Sequence, residues 1–134
     1  MKELKIDAKV ENLDEVLMLL DGALEAVECP MKVQMQLDVA VEEIFVNIAH
    51  YAYGAEGAGG AELLFDINPG EAVITFIDEG MPYDPLAKED PDITLSAEER
   101  PIGGLGIYMV KKSMDDVSYK REDDKNIFTI TKKF

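Results

Sequence analysis

The sequence predicts an α+β protein: a two-layer α/β sandwich, with a mixed, mostly antiparallel sheet covered on one face by helices. Three observations predict it. Strand-like and helix-like stretches come in the order β-α-α-β-β-loop-α-β-β, grouped rather than strictly alternating, which fits layered α+β packing better than a doubly wound parallel sheet. The 134 residues are the length of one domain, 1–134, and 47% of them are apolar, enough for a core. No repeat and no low-complexity segment interrupts the pattern.

The elements follow in chain order. Residues 2–9 alternate weakly and read as a first strand. Asn12 or Asp14 can cap the next helix, whose apolar residues Leu13, Val16, Leu17, Leu20, Leu24 and Val27 recur at helical spacing. Cys29-Pro30 stops it. A longer helix runs over residues 32–53, with Leu37, Val41, Ile44 and Ile48 as its buried stripe, and glycines from Gly54 onward end it. Residues 61–67 and 72–77 are strands joined by Asn68-Pro69-Gly70, a turn signal that predicts an antiparallel hairpin.

Residues 78–101 hold four prolines, many acids and almost no apolar periodicity. A stretch of this kind inside a compact domain reads as a functional lid or mobile loop, with a short helix near residues 96–100. Gly103-Gly104-Leu105-Gly106 then opens a third helix. Two last strands, near 117–121 and 126–132, flank an acidic turn.

Composition narrows the function. The lone cysteine, Cys29, cannot form an internal disulfide. No apolar run approaches the roughly 18 residues of a membrane span, and Met1-Lys2-Glu3-Leu4 does not open a signal peptide. The expected location is the cytoplasm. Thirteen basic and 28 acidic side chains give a net charge of −15, which repels nucleic acid and anionic lipid. The charge is uneven. Residues 1–99 carry 5 basic and 23 acidic groups, whereas residues 100–134 carry 8 basic and 5 acidic ones.

Three constellations have chemistry to offer. Glu43 and Asn47 are four residues apart on the long helix, one turn apart on its flank, about 110° round from the apolar stripe. The asparagine supplies a hard carbonyl oxygen suited to Mg²⁺, and the glutamate a base for a hydroxyl proton. Asp78-Glu79-Gly80-Met81-Pro82 follows a strand end. Its carboxylate can accept a hydrogen bond from an exocyclic amine, and Gly80 would let a flat ring approach the backbone. Gly103, Gly104, Leu105 and Gly106 open a helix where backbone N–H groups can converge on phosphate, with Arg100 before them and Lys111-Lys112 after them adding charge. Taken singly, the three patterns are also those of a solvated helix flank, a plain turn and a helix-entry turn. His50, one turn beyond Asn47, would line the same cavity or serve structurally. No Cys/His cluster has metal-ligand spacing, and no GxSxG or P-loop occurs.

In order, ExxxN on a helix, DxGxP at a strand end, a long lid and GGLG opening a helix resemble the Bergerat-type ATP site of the gyrase, heat-shock chaperone, histidine kinase and mismatch-repair superfamily (GHKL). The wording of residues 38–53 (DVAVEEIFVNIAHYAY), 76–86 (FIDEGMPYDPL) and 103–119 (GGLGIYMVKKSMDDVSY) is closer still to the anti-sigma-factor serine kinases of the RsbW type. The resemblance covers nearly the whole chain. It implies a Bergerat ATP-binding fold, with Glu43 as general base and Asn47 as Mg²⁺ ligand. Asp78 would take the adenine amino group, with Gly80 beside the ring, and Gly103, Gly104 and Gly106 would form the phosphate turn under the lid. A polar residue of the last strands near adenine would be Asn126 or Thr129. Tyr83 stands where many relatives have Phe.

The resemblance further implies ATP and Mg²⁺ as cofactors. Its implied partners are an anti-anti-sigma factor (a STAS-domain protein) whose serine is phosphorylated, a sigma factor to sequester, and a second copy in a homodimer. Two other readings stay open on the residues: a nucleotide-responsive partner-switching module with little transfer activity, and an acidic interaction protein without nucleotide. The intact motifs argue against the latter. The −15 then reads as a surface for basic protein partners.

Overall fold

The computed structural model describes residues 1–53, 59–87 and 105–134. Its elements are β1 (Lys2–Asp7), α1 (Leu13–Ala26), α2 (Met31–Tyr51), β2 (Gly60–Asn68), β3 (Glu71–Asp78), α3 (Leu105–Ser113), β4 (Asp116–Glu122) and β5 (Lys125–Lys133), with 3-10 turns at Val10–Asn12 and Pro85–Ala87. The order matches the sequence reading. The expected short helix near residues 96–100, and most of the expected lid, lie outside the described residues.

The strands form one sheet in the order β1-β2-β3-β5-β4, and every neighbouring pair is antiparallel. The sheet was expected to be mostly antiparallel, and it is antiparallel throughout, without the parallel pair that a mixed sheet would hold. Chain direction explains the difference. Two helices separate β1 from β2, so the chain returns antiparallel. The single α3 makes β4 run in the same direction as β3, but β5 inserts between those two and no parallel neighbours arise.

Local signals place the turns. Gly70 takes φ 88° in the β2–β3 hairpin, and Asp123 and Asp124 take φ 53° and 60° between β4 and β5. Two successive positive φ values are the backbone demand of a tight hairpin turn, which short acidic side chains tolerate. Asn12 does not cap α1 through its side chain, because its amide donates instead to the Asp7 carbonyl at 3.0 Å.

All three helices pack on one face of the sheet. The inward row of β3 is Ala72, Ile74, Phe76 and Asp78, and that of β5 is Asn126, Phe128 and Ile130, all buried. They pair in register, Ile74 with Ile130, Phe76 with Phe128, and Asp78 with Asn126. The period-2 alternation of a strand therefore makes a polar pair the last rung of an apolar ladder. Phe45, Leu37 and Val41 of α2 and Leu20 and Leu24 of α1 close the core above it. The opposite face carries Val73, Thr75, Ile127 and Thr129, half-buried, with no helix over it among the described residues.

Candidate functional site

The site is built around the last rung. Asp78 is 5% exposed. Its Oδ1 accepts the Gly80 N–H at 3.0 Å and the Asn126 Nδ2–H at 2.9 Å. Its Oδ2 takes no hydrogen bond from the described residues. Asn126 is a hub. Its Nδ2 also donates to the Met81 carbonyl at 2.8 Å, while its Oδ1 accepts from the Tyr119 hydroxyl, from Arg121 Nη1 at 3.2 Å and from the Tyr83 N–H at 3.4 Å. Arg121 Nη1 donates to the Gly80 carbonyl at 2.7 Å as well. Donors and acceptors on both sides of the Asn126 amide agree, so its orientation is fixed by the network.

This settles which polar residue of the last strands stands beside Asp78. It is Asn126. Thr129 lies on the opposite face of the sheet, where its hydroxyl meets Thr75 Oγ1 at 3.5 Å.

A narrow cavity of about 40 Å³ lies between α2 and this rung, with Asn47, Tyr51, Asp78, Tyr83, Ile107 and Asn126 among its walls. Tyr51 and Tyr83 stack across it with ring centroids 6.1 Å apart and planes at 28°. Three of the sequence-predicted regions therefore converge: the ExxxN helix, the strand-end aspartate and the helix opened by GGLG. A wider hollow of about 710 Å³ opens on the other side of Asp78, but its walls mix Lys5 and Lys125 with Asp7, Glu62 and Glu79 and include neither Glu43, Asn47 nor Gly106.

Glu43 does not line the cavity; it lies next to it, against the first turn of α3. A Cβ placed on Gly106 would meet Glu43 Oε2 at 2.0 Å, so only glycine lets the carboxylate occupy this position. The N-terminal end of α3 offers that carboxylate a positive dipole end.

Some expectations are corrected. His50 does not line the cavity. It is exposed, with its ring tilted 58° to that of Tyr51. At 100° per residue it stands about 130° from the middle of the stripe that lines the cavity, Ile44, Asn47, Ile48, Tyr51 and Ala52. Gly80 is also absent from the walls. A Cβ there would meet the Ala52 carbonyl oxygen at 2.1 Å, and that same carbonyl accepts the Met81 N–H at 2.8 Å. The glycine is required by close packing on the end of α2. Lys111 and Lys112 occupy the last turn of α3, at the opposite end from its glycine opening, where cations suit the helix dipole. Arg100, Gly103 and Gly104 lie outside the described residues, and of Leu105 only the backbone is described, opening α3.

Sequence reasoning missed Tyr119, Arg121 and Tyr53. The first two sit in a strand with no motif, and their role depends on β4 pairing beside β5. The Tyr53 hydroxyl donates to the Gly60 carbonyl and accepts the Glu79 N–H at 3.0 Å, tying the end of α2 to both strand ends. Burial pushes its hydroxyl pKa up.

A layered antiparallel sheet under a helical layer, with a strand-end acid facing an asparagine-bearing helix, defines the class: the chain belongs to the histidine kinase-like ATPase domain family, which it matches over residues 6–132. Within that class it is similar to the serine-protein kinase RsbW of Bacillus cereus (strain AH820) and of Bacillus anthracis, with 26% identity over 125 residues, 90% of this chain and 78% of each relative. Its fold matches the crystal structure of the RsbU and RsbW domains of Rv1364c from Mycobacterium tuberculosis with a TM-score of 0.65 at 13% identity. The match covers 99% of this chain and 32% of that longer one. Among the described residues no helix is long and apolar enough to cross a membrane, and no group of three or more His, Cys, Asp and Glu is placed to hold a metal ion.

Proposed function

We propose that the chain is an ATP-dependent protein serine kinase, a single cytoplasmic ATP-binding domain acting as an anti-sigma regulatory factor. It would phosphorylate a serine of an anti-anti-sigma (STAS) partner and sequester a sigma factor. The observation that carries this reading is the convergence on one cavity of Asp78, with one carboxylate oxygen fixed and the other without a donor among the described residues, and Asn47, with Glu43 held beside it at the start of α3. The names of the relatives support the kinase class.

The donor set fits a magnesium nucleotide. Asp78 Oδ2 is an acceptor suited to an exocyclic amine, and Asn126 holds the other oxygen so that the carboxylate cannot turn. The Asn47 carbonyl oxygen would hold Mg²⁺, which when bound neutralises phosphate charge. Glu43 would accept the proton of the attacking serine hydroxyl. Nucleotide sites usually offer about 300 Å³ or more, so Tyr51 and Tyr83 part when the base enters.

The test is γ-labelled ATP with Mg²⁺ and a candidate STAS-domain protein from the same organism. Label on a partner serine, abolished in Glu43→Gln with ATP binding retained, is the expected result. ATP binding without any labelled serine would leave a nucleotide-responsive binding module and remove the kinase. Full transfer by Glu43→Gln would remove the base assignment, and unchanged Mg²⁺-dependent affinity in Asn47→Ala would remove the ligand assignment.

A further inference from the structure

The outer side of the α1–α2 hairpin takes no part in the nucleotide site, yet three features meet there. Large apolar side chains are exposed: Met18 at 75% on α1, and Met31, Met35 and Val39 at 68%, 61% and 54% on α2. The last three recur every four residues and form one stripe. Gly22 stands in the middle of α1, one turn from Met18, and a Cβ there would meet nothing within 4 Å. A mid-helix glycine weakens its helix relative to alanine, and none of the described residues requires this one. Asp21 and Asp38 approach each other across the two helices, and Oδ1 of each is sealed from solvent without a hydrogen-bond donor. Met18 and Asp21 are three residues apart, as are Met35 and Asp38, so each carboxyl adjoins an exposed methionine.

The charge around these features is one-sided. Residues 10–53 carry nine acidic side chains and one basic one, Lys32. That repels nucleic acid, anionic lipid and a second copy of the same face.

We propose that this face docks a basic amphipathic helix of a protein partner. Met18, Met35 and Val39 take its apolar side chains, as adaptable methionines do on recognition surfaces. Gly22 admits its backbone closely, and a lysine or arginine on it pairs with the charge of the half-buried Asp21–Asp38 carboxyls. Burying charge against charge on both sides gives register and specificity. The inference is independent of nucleotide binding.

The test is methyl NMR of the full chain, titrated with a synthetic amphipathic helix of leucine and lysine. The expected result is that Met18 and Met35 methyl signals move while those of Met81 and Met109, also exposed at 58% and 53%, stay. In Asp21→Asn/Asp38→Asn, and independently in Met18→Ser/Met35→Ser, affinity should fall about tenfold with ATP binding unchanged. Equal movement at all four methionines would show attraction to net charge only and overturn the proposal. So would undiminished affinity in both double variants, or equal binding of a leucine–glutamate helix. Because ATP binding is read in parallel, a failed kinase assay and a failed docking assay are separate results.

Discussion

Two aspartates of this protein, Asp78 and Asp38, are each set against a partner side chain, in opposite ways. Asp78 faces an amide and receives two N–H donors on one oxygen. Asp38 faces another acid, Asp21, and neither Oδ1 receives a donor. Burial, then a proton shared with Asp21, then the repulsion of its charge, push Asp38 up to about 7 from the ordinary 3.8. A carboxylate that receives donors on one oxygen is held in one orientation, ready to read a ligand. A carboxylate set against its like depends on a proton, or on a cation from outside, to be satisfied.

The largest effect comes from removing the well-supported acid. Asp78→Ala is expected to lower ATP affinity about 100-fold, measured by titration calorimetry, since a buried charged hydrogen bond contributes about 1.5–3 kcal/mol. Next, Asn126→Ala strands the Met81 carbonyl and the Tyr119 hydroxyl. It should lower stability by about 2 kcal/mol in urea melts. An unchanged melt would show that the network is ornamental and would erase the contrast between the pairs.

Asp38 sharpens the contrast from the other side. Its folded pKa lies above its unfolded one, so its contribution to stability is complete below pH about 4 and is lost as pH rises through about 7. Asp38→Asn removes that loss and keeps a donor for Asp21. The variant should be more stable than the parent at pH 8 by about 1 kcal/mol, with the two converging as pH falls to about 4. A parent curve that is flat between pH 5 and 8 would sink the shared-proton account. The smallest effect is Thr129→Val, expected to change stability by less than about 0.5 kcal/mol and ATP affinity not at all, because Thr129 faces the side of the sheet away from α1, α2 and α3.

The same comparison shows what could be read in advance. Asp78 was legible because it ends an alternating strand and begins a DxGxP turn. Glu43 and Asn47 were legible because helical spacing puts them on one flank. Asn126 and Thr129 are three apart and so must face opposite sides of a strand, but the chain alone does not say which side carries the helices. Tyr119 and Arg121 could not be found at all, since they meet Asn126 only when β4 pairs with β5. His50 was misplaced by treating one helical turn as one face, although three residues already rotate by 300°. The glycine at position 80 was identified as special, but its reason lies in Ala52, twenty-eight positions away.

By itself, the sequence determined the order and type of the elements, the buried stripes, and the charge split between an acidic first part and a mildly basic last part. These follow from periodicity and turn chemistry, which act over a few residues. Tertiary structure alone decided which acid meets an amide and which meets another acid. It also decided that Gly106 makes room for Glu43 and that Asn126 rather than Thr129 stands beside Asp78. Those outcomes depend on strand register and helix packing, where residues far apart in the chain are brought within hydrogen-bond range and a shift of one position would exchange every partner.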